Sequence, residues 1–228
     1  MDAAARAWTT PDHGIWEVRT TGRLFTYSAA LCQVALDRGA RLAERLGRGN
    51  SSRIGAWRAS VARIRQAIVE DAWDPDRGSL TEHLDGGGLD ASLLALPLRR
   101  VLDARHPRMV ATTRAVGERL DAGGGLLYRY LPEASPDGLP GHEGAFLLCS
   151  FWLVDNLAKQ GRVDDAMALY EELCGRAGPL GLLPEQIDPS TGAFLGNYPQ
   201  AFSHVGLISS GVNLAGATAA LAAGRVAR

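Results

Sequence analysis

The chain has 228 residues, of which 46% are hydrophobic, and a formal net charge of -1. This length and apolar content suffice for a sizeable core, and the balanced charge gives no electrostatic reason to expect nucleic acid or an anionic membrane as a partner. Three scattered cysteines and an N-terminus without an apolar signal core predict a soluble, cytoplasmic protein, in which no stretch is expected to reach the length of a membrane span.

The predicted elements are all helices. Residues 1–22 are expected to be irregular. Seven helices are predicted, the second beginning at Ser51 or Ser52 and ending before a loop at 74–88, and the others at about 24–46, 89–102, 108–120, 143–159, 163–174 and 199–223. Ser51 or Ser52 is expected to cap the second helix, and Pro97 is expected to kink or shorten the third.

Two of these helices have informative apolar patterns. The second carries an apolar stripe at steps of three and four residues, formed by Ile54, Trp57, Val61, Ile64 and Ile68. Such a stripe predicts one buried face and a position on the outside of the fold. The helix at 143–159 is apolar on all sides, which predicts that other elements cover it all round.

The predicted loops alternate in length. Long loops precede the helices that begin near residues 24, 89, 143 and 199, and short ones precede the others. In an up-and-down array of helical hairpins, alternate loops lie at opposite ends, so the long loops are expected at one rim. This predicts an inner and an outer layer of helices with a loop-built site. A helical-repeat solenoid would give the same alternation, but the sequence has no fixed-period repeat.

Two loop carboxylates are the first candidates for chemistry. Glu185 lies in the long loop 181–204, and Glu17 directly follows Trp16. A pair of carboxylates facing one pocket can hydrolyse a glycosidic bond, one as acid and the other as base. An adjacent indole can raise a carboxyl pKa by desolvation, which would suit Glu17 as the acid.

The same residues also have ordinary structural interpretations. A glutamate beside a tryptophan in a loop is more often a helix cap or a surface residue, and Arg129 would by default pair with a nearby carboxylate. Further carboxylates of the predicted rim are Asp85, Asp90, Asp137 and Glu143.

Other chemistries lack the required spacing. The five histidines form no metal-ligand pattern, and no serine stands in a GxSxG context. The glycine runs at 86–88 and 123–125 contain no phosphate-binding motif and follow no predicted strand. No cofactor and no metal are therefore expected.

A set of motifs resembles one known family. They are GIWEVR at 14–19, FTYS at 25–28, LDAS at 89–92, YRY at 128–130, DGLPG at 137–141, EGAF at 143–146, CSFW at 149–152, GLLPEQ at 181–186 and GNYPQAFSH at 196–204. In this order they resemble glycoside hydrolase family 15, the family of glucoamylases, glucodextranases and prokaryotic trehalases, over nearly the whole chain past residue 13.

The resemblance implies a fold, a mechanism and roles for particular residues. It implies an all-α fold, the (α/α)6 barrel or six-hairpin toroid, and inverting, exo-acting hydrolysis of α-glucosidic bonds in a small oligosaccharide or glucan. Glu17 matches the general acid, and Glu185 matches the general base. The expected substrate-binding residues are Trp16, Tyr128, Arg129 and Glu143. The resemblance does not choose between trehalose and maltose, starch or dextran.

The resemblance also implies that the chain is incomplete. The family barrel has twelve helices, with the acid between the fifth and the sixth and the base between the last two. Seven predicted helices beginning just after the acid correspond to the C-terminal part of one partial domain, without the first five helices and the N-terminal β-sandwich.

Incompleteness affects both partners and activity. Inner helix faces, such as that of Phe151 and Trp152, are expected to lack partners, which predicts association with the missing half or with another copy. Little hydrolysis is expected from this chain alone. The alternative is a non-catalytic helical remnant that binds a partner through its open inner face.

Overall fold

Helix dominates the structure, a computed structural model that describes residues 1–48, 50–138 and 143–224. In this part of the chain the eight α-helices, α1 to α8, are Asp2–Ala7, Thr26–Arg45, Ser51–Glu70, Ala95–Leu98, Pro107–Arg119, Leu147–Lys159, Val163–Cys174 and Ala201–Ala222. The strands β1 to β7 are Trp73–Asp74, Ser79–Leu80, Asp121–Gly123, Leu126–Leu127, Ala145–Phe146, Gln186–Ile187 and Phe194–Leu195. The all-α prediction is confirmed, although these short strands were not predicted.

The chain divides into two compact units. The first contains Met1–Asp103 and Leu131–Leu139, and the second contains Ala104–Tyr130 and Pro140–Arg228. Part of the DGLPG motif, His142 and Gly49 lie outside the described residues.

In the first unit, α2 packs on α3. The predicted stripe of α3 is confirmed at Ile54, Ile64 and Ile68, which are buried, whereas Trp57 and Val61 are half-buried. The predicted cap is wrong. Asn50, one residue earlier, accepts a hydrogen bond from the backbone N–H of Arg53 at 2.7 Å, which satisfies a helix N–H that has no partner inside the helix.

Two other elements of the first unit differ from the prediction. The segment expected to be irregular contains the six-residue helix α1, whose alanines favour helix locally although none of its residues is buried. The predicted helix at 89–102 is shorter, a 3₁₀ turn at Ala91–Leu94 followed by the single turn of α4. Pro97 lies in that turn, so the predicted shortening is confirmed.

In the second unit, α6 is buried between other elements. It packs on α7 and α8, and Phe151 and Trp152 are 0% and 6% exposed. The expectation that these two residues lack partners is therefore wrong. Helix α8 approaches α6 closely at Gly206, where a Cβ would lie only 2.9 Å from the Phe151 ring. The Ser210 Oγ also donates a hydrogen bond to the Phe151 carbonyl at 3.0 Å.

The unpartnered apolar surface lies on α8 instead. Its buried residues are Ser203, Gly206, Ser210 and Leu214. The opposite face presents exposed large side chains at steps of three and four residues, namely Phe202, Val205, Ile208 and Val212. We call these four residues the α8 stripe.

Helix α8 also corrects the expectation about membrane-span length. By length and composition alone, Ala201–Ala222 could cross a membrane. The sequence interpretation missed this because much of the helix consists of glycine, alanine and serine rather than large apolar residues. The same test is passed by helices of soluble proteins, so length and composition do not place α8 in a bilayer.

Candidate active site

The loop that carries Glu17 is closed by backbone hydrogen bonds. At its base, Asp12 and Arg23 exchange two bonds of 2.9 Å each. Nearer its tip, the Val18 N–H donates to the His13 carbonyl at 3.0 Å, and the Glu17 N–H donates to the Gly14 carbonyl at 3.4 Å. The loop therefore has a defined backbone path.

Glu17 has a left-handed backbone. Its φ is 53°, and Arg100 is the only other non-glycine residue with positive φ in residues 1–48, 50–138 and 143–224. Such a conformation costs a non-glycine residue roughly 1–3 kcal/mol and is concentrated at functional sites. The side chain of Glu17 is exposed.

Trp16 binds a different carboxylate from the one expected. Its indole N–H donates to Asp90, at 2.9 Å to Oδ2 and 3.1 Å to Oδ1. The prediction that Trp16 desolvates the neighbouring Glu17 is therefore corrected, because Glu17 is exposed and the buried carboxyl is that of Asp90.

Burial sets the electrostatics of Asp90. Desolvation raises the pKa of its carboxyl to about 6. Hydrogen bonds from Ser92 and Trp16 oppose this rise, and the negative charge of Glu82 adds to it. His83, next to Glu82, has its pKa lowered, chiefly by burial. Asp90, which binds the Trp16 indole, is thus influenced by a second buried carboxylate, Glu82, which lies beside His83.

The candidate base is held by a three-stranded antiparallel sheet in the order β5-β6-β7. Glu185 immediately precedes β6, and its backbone extends the pairing on both sides. Its N–H donates to the Asn197 carbonyl at 2.9 Å, and its carbonyl accepts from the Leu147 N–H at 3.2 Å. Because Ala145–Phe146 forms β5, α6 begins at Leu147 rather than at Glu143 as predicted.

One oxygen of the Glu185 carboxylate is anchored. Oε2 accepts two hydrogen bonds from Asn197, from the backbone N–H at 2.9 Å and from the side-chain Nδ2 at 2.8 Å. Among the described residues, no group donates to Oε1. Gly196 makes this approach possible, since it has φ +71° and a Cβ there would lie 2.5 Å from Oε2.

Two predicted substrate-binding residues form an ion pair. The Nε of Arg129 donates to Glu143 Oε2 at 3.0 Å, and Nη2 contacts both carboxylate oxygens. The guanidinium also lies 5.3 Å from the ring centroid of Tyr130 and 5.4 Å from that of Phe146. The ordinary interpretation of Arg129, a partner for a nearby carboxylate, is therefore confirmed, and its plane is fixed.

The predicted residues fall in both units. Trp16 and Glu17 belong to the first, whereas Tyr128, Arg129, Glu143 and Glu185 belong to the second. Tyr128 is half-buried, and its backbone N–H donates to the Leu120 carbonyl at 2.9 Å.

Two other acidic residues of the predicted rim have structural partners. Asp85 pairs with Arg23 at 3.1 Å, and the carbonyl of Asp137 accepts from the Arg19 N–H at 2.7 Å. In the described ranges, no three His, Cys, Asp or Glu side chains form a group that could hold a metal ion.

Sequence reasoning missed two supporting interactions. The bond from Trp16 to Asp90 spans 74 residues, and no local pattern points to it. Asn197 and Gly196 follow Glu185 more closely, and a glycine next to an amide residue in a loop is a signal for a special backbone conformation. That signal does not say which group the glycine accommodates.

Comparison with known proteins places this geometry in context. The sequence model of "Glycosyl hydrolases family 15" matches residues 1–212. The chain is 44% identical over 214 residues to the trehalase of Mycolicibacterium smegmatis, covering 94% of this chain and 31% of the trehalase. It is 35% identical over 201 residues to the trehalase of Thermoplasma acidophilum, covering 88% and 34%.

Solved structures show the same fold at low identity. A glycosidase matches with a TM-score of 0.76 and 22% identity, over 93% of this chain and 57% of that one. The Hypocrea jecorina glucoamylase matches with a TM-score of 0.72 and 14% identity, over 94% and 45%. These likenesses confirm the predicted fold class, part of an (α/α)6 barrel, and the chain spans about a third of the length of the curated trehalases it matches.

Proposed function

Because the chain belongs to the glycosyl hydrolases family 15, we propose that it supplies both catalytic carboxylates for inverting, exo-acting hydrolysis of α-glucosidic bonds. Glu17 donates a proton to the glycosidic oxygen as the bond from that oxygen to C1 breaks. Glu185 accepts a proton from the water that attacks C1 from the opposite face. The products are glucose and the released sugar, with inverted configuration at the attacked carbon.

The anchoring of Glu185 is the observation that carries this proposal. A general base must hold its orientation and still offer an oxygen to the attacking water. Asn197 fixes Oε2 through two hydrogen bonds, while Oε1 accepts none from the described residues.

The loop of Glu17 supports its role as acid. A left-handed backbone at a glutamate is costly, and the indole of the preceding Trp16 is fixed by two contacts to Asp90. An exposed side chain can reach a substrate oxygen.

Trehalose is the first substrate to test. The curated relatives compared above are trehalases, whereas the glucoamylase likeness rests on 14% identity and shows the fold alone. Arg129 is proposed to bind a sugar hydroxyl, supported by the way Glu143, Tyr130 and Phe146 fix its guanidinium plane. Trp16, Tyr128 and Glu143 are proposed to contribute to the same binding.

The decisive experiment uses a chimera in which this chain replaces the matched segment of the Mycolicibacterium smegmatis trehalase. Glucose release from trehalose, maltose and starch is measured, and the anomers are followed by NMR. Inverting hydrolysis of trehalose gives one α- and one β-glucose, whereas retention gives α-glucose only.

Variants of the chimera test the two roles. Glu17→Gln and Glu185→Gln should each abolish hydrolysis, while Glu171→Gln, at an exposed position of α7, should have full activity. Activity in either of the first two variants would remove that residue from its proposed role.

The α8 stripe supports a partner, and it also favours the second candidate function. Four exposed large apolar side chains on one helix face are typical of an interaction site. We assign this face to the part of a family-15 enzyme that the chain does not span, and a second copy is the alternative. A non-catalytic binding module would use the same face without either carboxylate, and an inactive chimera with intact fold would favour it.

A further inference from the structure

We propose that Asp90 is a positioning residue for the candidate acid: it binds the Trp16 indole and through it fixes the backbone of the adjoining Glu17. This inference rests on the proposed role of Glu17. Asp90 lies 74 residues from Trp16 in sequence, and the sequence placed it among the rim carboxylates without assigning it a role.

The contact has the geometry of a strong hydrogen bond. The indole N–H lies 2.9 Å from Oδ2 and 3.1 Å from Oδ1, so both carboxylate oxygens face it. Asp90 is 2% exposed. A hydrogen bond to a charged acceptor is about twice as strong as a neutral one, and water does not compete for a buried acceptor.

The hydrogen bond that Asp90 makes at the start of the next turn does not explain why this buried residue is a carboxylic acid. Its Oδ1 also accepts from the Ser92 N–H at 2.6 Å, which starts the 3₁₀ turn Ala91–Leu94. A neutral asparagine or serine caps a helix start about as well. Burying a carboxylate is costly unless its partners need the charge, and the partner outside the local turn is the Trp16 indole.

Trp16 transmits this restraint to Glu17 because the two residues are adjacent. The turn between Gly14 and Glu17 is closed by a hydrogen bond of 3.4 Å, which is long. Glu17 has a φ of 53°, a conformation that a free chain would leave. An anchored indole one residue earlier limits the rotation by which the loop could relax.

The protonation state of Asp90 controls the strength of its hydrogen bond with Trp16. Burial raises the pKa of Asp90 to about 6, and the charge of Glu82, itself beside His83, acts in the same direction. Ser92 and Trp16 oppose the rise by donating hydrogen bonds. Protonation therefore weakens the charge-assisted bond to Trp16 as the pH falls through about 6.

The test observes the Trp16 indole and the Glu17 amide in the purified chain by proton–nitrogen NMR. The five tryptophans give five indole signals, and Trp16→Phe assigns the one required. In the wild type, the Trp16 indole proton should move upfield as the pH falls through about 6, and the Glu17 amide should shift with the same midpoint. In Asp90→Asn, both signals should differ from those of the wild type at neutral pH, and neither should titrate near pH 6.

Asp76→Asn is the matched control, because it removes an exposed aspartate of the same unit and should leave both signals unchanged. A Trp16 indole signal that is insensitive to pH and to Asp90→Asn would overturn the proposal. So would a Glu17 amide that stays fixed while the indole signal moves. Neither readout requires hydrolysis, so an active Glu17→Gln chimera would refute the role of Glu17 as acid while leaving the NMR result intact.

Discussion

Gly196→Ala should displace the carboxylate of the candidate base, Glu185, and so lower the rate of hydrolysis. Gly196 lies beside the Glu185 carboxylate with φ +71°, and an added Cβ would be 2.5 Å from Oε2 and 3.0 Å from the Glu185 Cβ. Ordinary van der Waals contact begins at 3.4 Å. The carboxylate must therefore move by about 0.9 Å, or the backbone must shift by a similar distance.

These distances set the expected magnitude. A misplacement of about 1 Å in a catalytic group can reduce the rate by about 100-fold, so trehalose hydrolysis by the chimera should fall by about that factor. Alanine in the left-handed region also costs roughly 1–3 kcal/mol of folding free energy. Loss of activity alone would therefore not distinguish displacement of Glu185 from destabilisation of the loop.

Gly192→Ala provides the matched control. Gly192 lies in the same loop and has nearly the same backbone, with φ +73°, but nothing lies within 4 Å of its hypothetical Cβ. Both variants should lose similar unfolding free energy in denaturant titrations, and only Gly196→Ala should lose about 100-fold in kcat. Equal activities in the two variants would refute the argument that Gly196 makes room for the carboxylate.

Three further outcomes are expected. Asn197→Ala removes the Nδ2 donor to Glu185 and should lower kcat of the chimera by about tenfold, with about 1 kcal/mol less unfolding free energy; an unchanged kcat would contradict the anchoring role. The pKa of Asp90 is raised from 3.8 to about 6, so its contribution to stability is present below 3.8 and is lost as the pH rises through 6. Relative to Asp90→Asn, the wild type should lose up to about 3 kcal/mol of unfolding free energy from about pH 4 to about pH 7, and a constant difference in urea titrations would contradict this sign. When this chain is purified alone, the α8 stripe is expected to bind a second copy, and Phe202→Ser with Ile208→Ser should abolish this self-association in sedimentation experiments and keep the helical circular dichroism, because both side chains are exposed; a sedimentation profile that shows the same self-association in the variant would exclude this face.

The sequence predicted where the helices lie in the chain better than it predicted which elements pack against them. The stripe of Ile54, Ile64 and Ile68 was predictable because a period of 3.6 residues reports burial on one helix face. That pattern does not report which element covers a helix. Phe151 was expected to be unpartnered, yet α8 covers it through Gly206 and Ser210, whose small side chains give little apolar signal.

The strands could not be predicted for a related reason. Each contains two or three residues, too few for an alternating pattern to register. The pairing of Ala145 with Ile187 also joins segments that are far apart in sequence. These pairs nevertheless hold Glu185, so the element that fixes the candidate base gives no local signal.

The candidate carboxylates were identified mainly by resemblance. From the residues alone, Glu17 and Glu185 were two loop acids, and Glu17 had an ordinary alternative as a helix cap or a surface residue. The structure adds what the motifs do not contain, namely that Asp90 binds Trp16 and Asn197 anchors Glu185. Both interactions depend on how distant or bent segments meet, which composition and spacing do not encode.

The costly features of the two units bear on the choice between a hydrolase and a binding module. Glu17 has a left-handed backbone, Gly196 admits the Glu185 carboxylate where a Cβ would lie 2.5 Å from Oε2, and Asp90 is a buried carboxylate with a raised pKa. Glu17 is the candidate acid itself, Gly196 lies against the candidate base, and Asp90 binds the tryptophan beside the acid. A module that bound its partner through the α8 stripe would require none of them, because that helix packs on α6 and α7 through other residues. Local strain and desolvation are typical of sites where a side chain must be held in one orientation for chemistry. Their position around both acids therefore favours hydrolysis over binding alone.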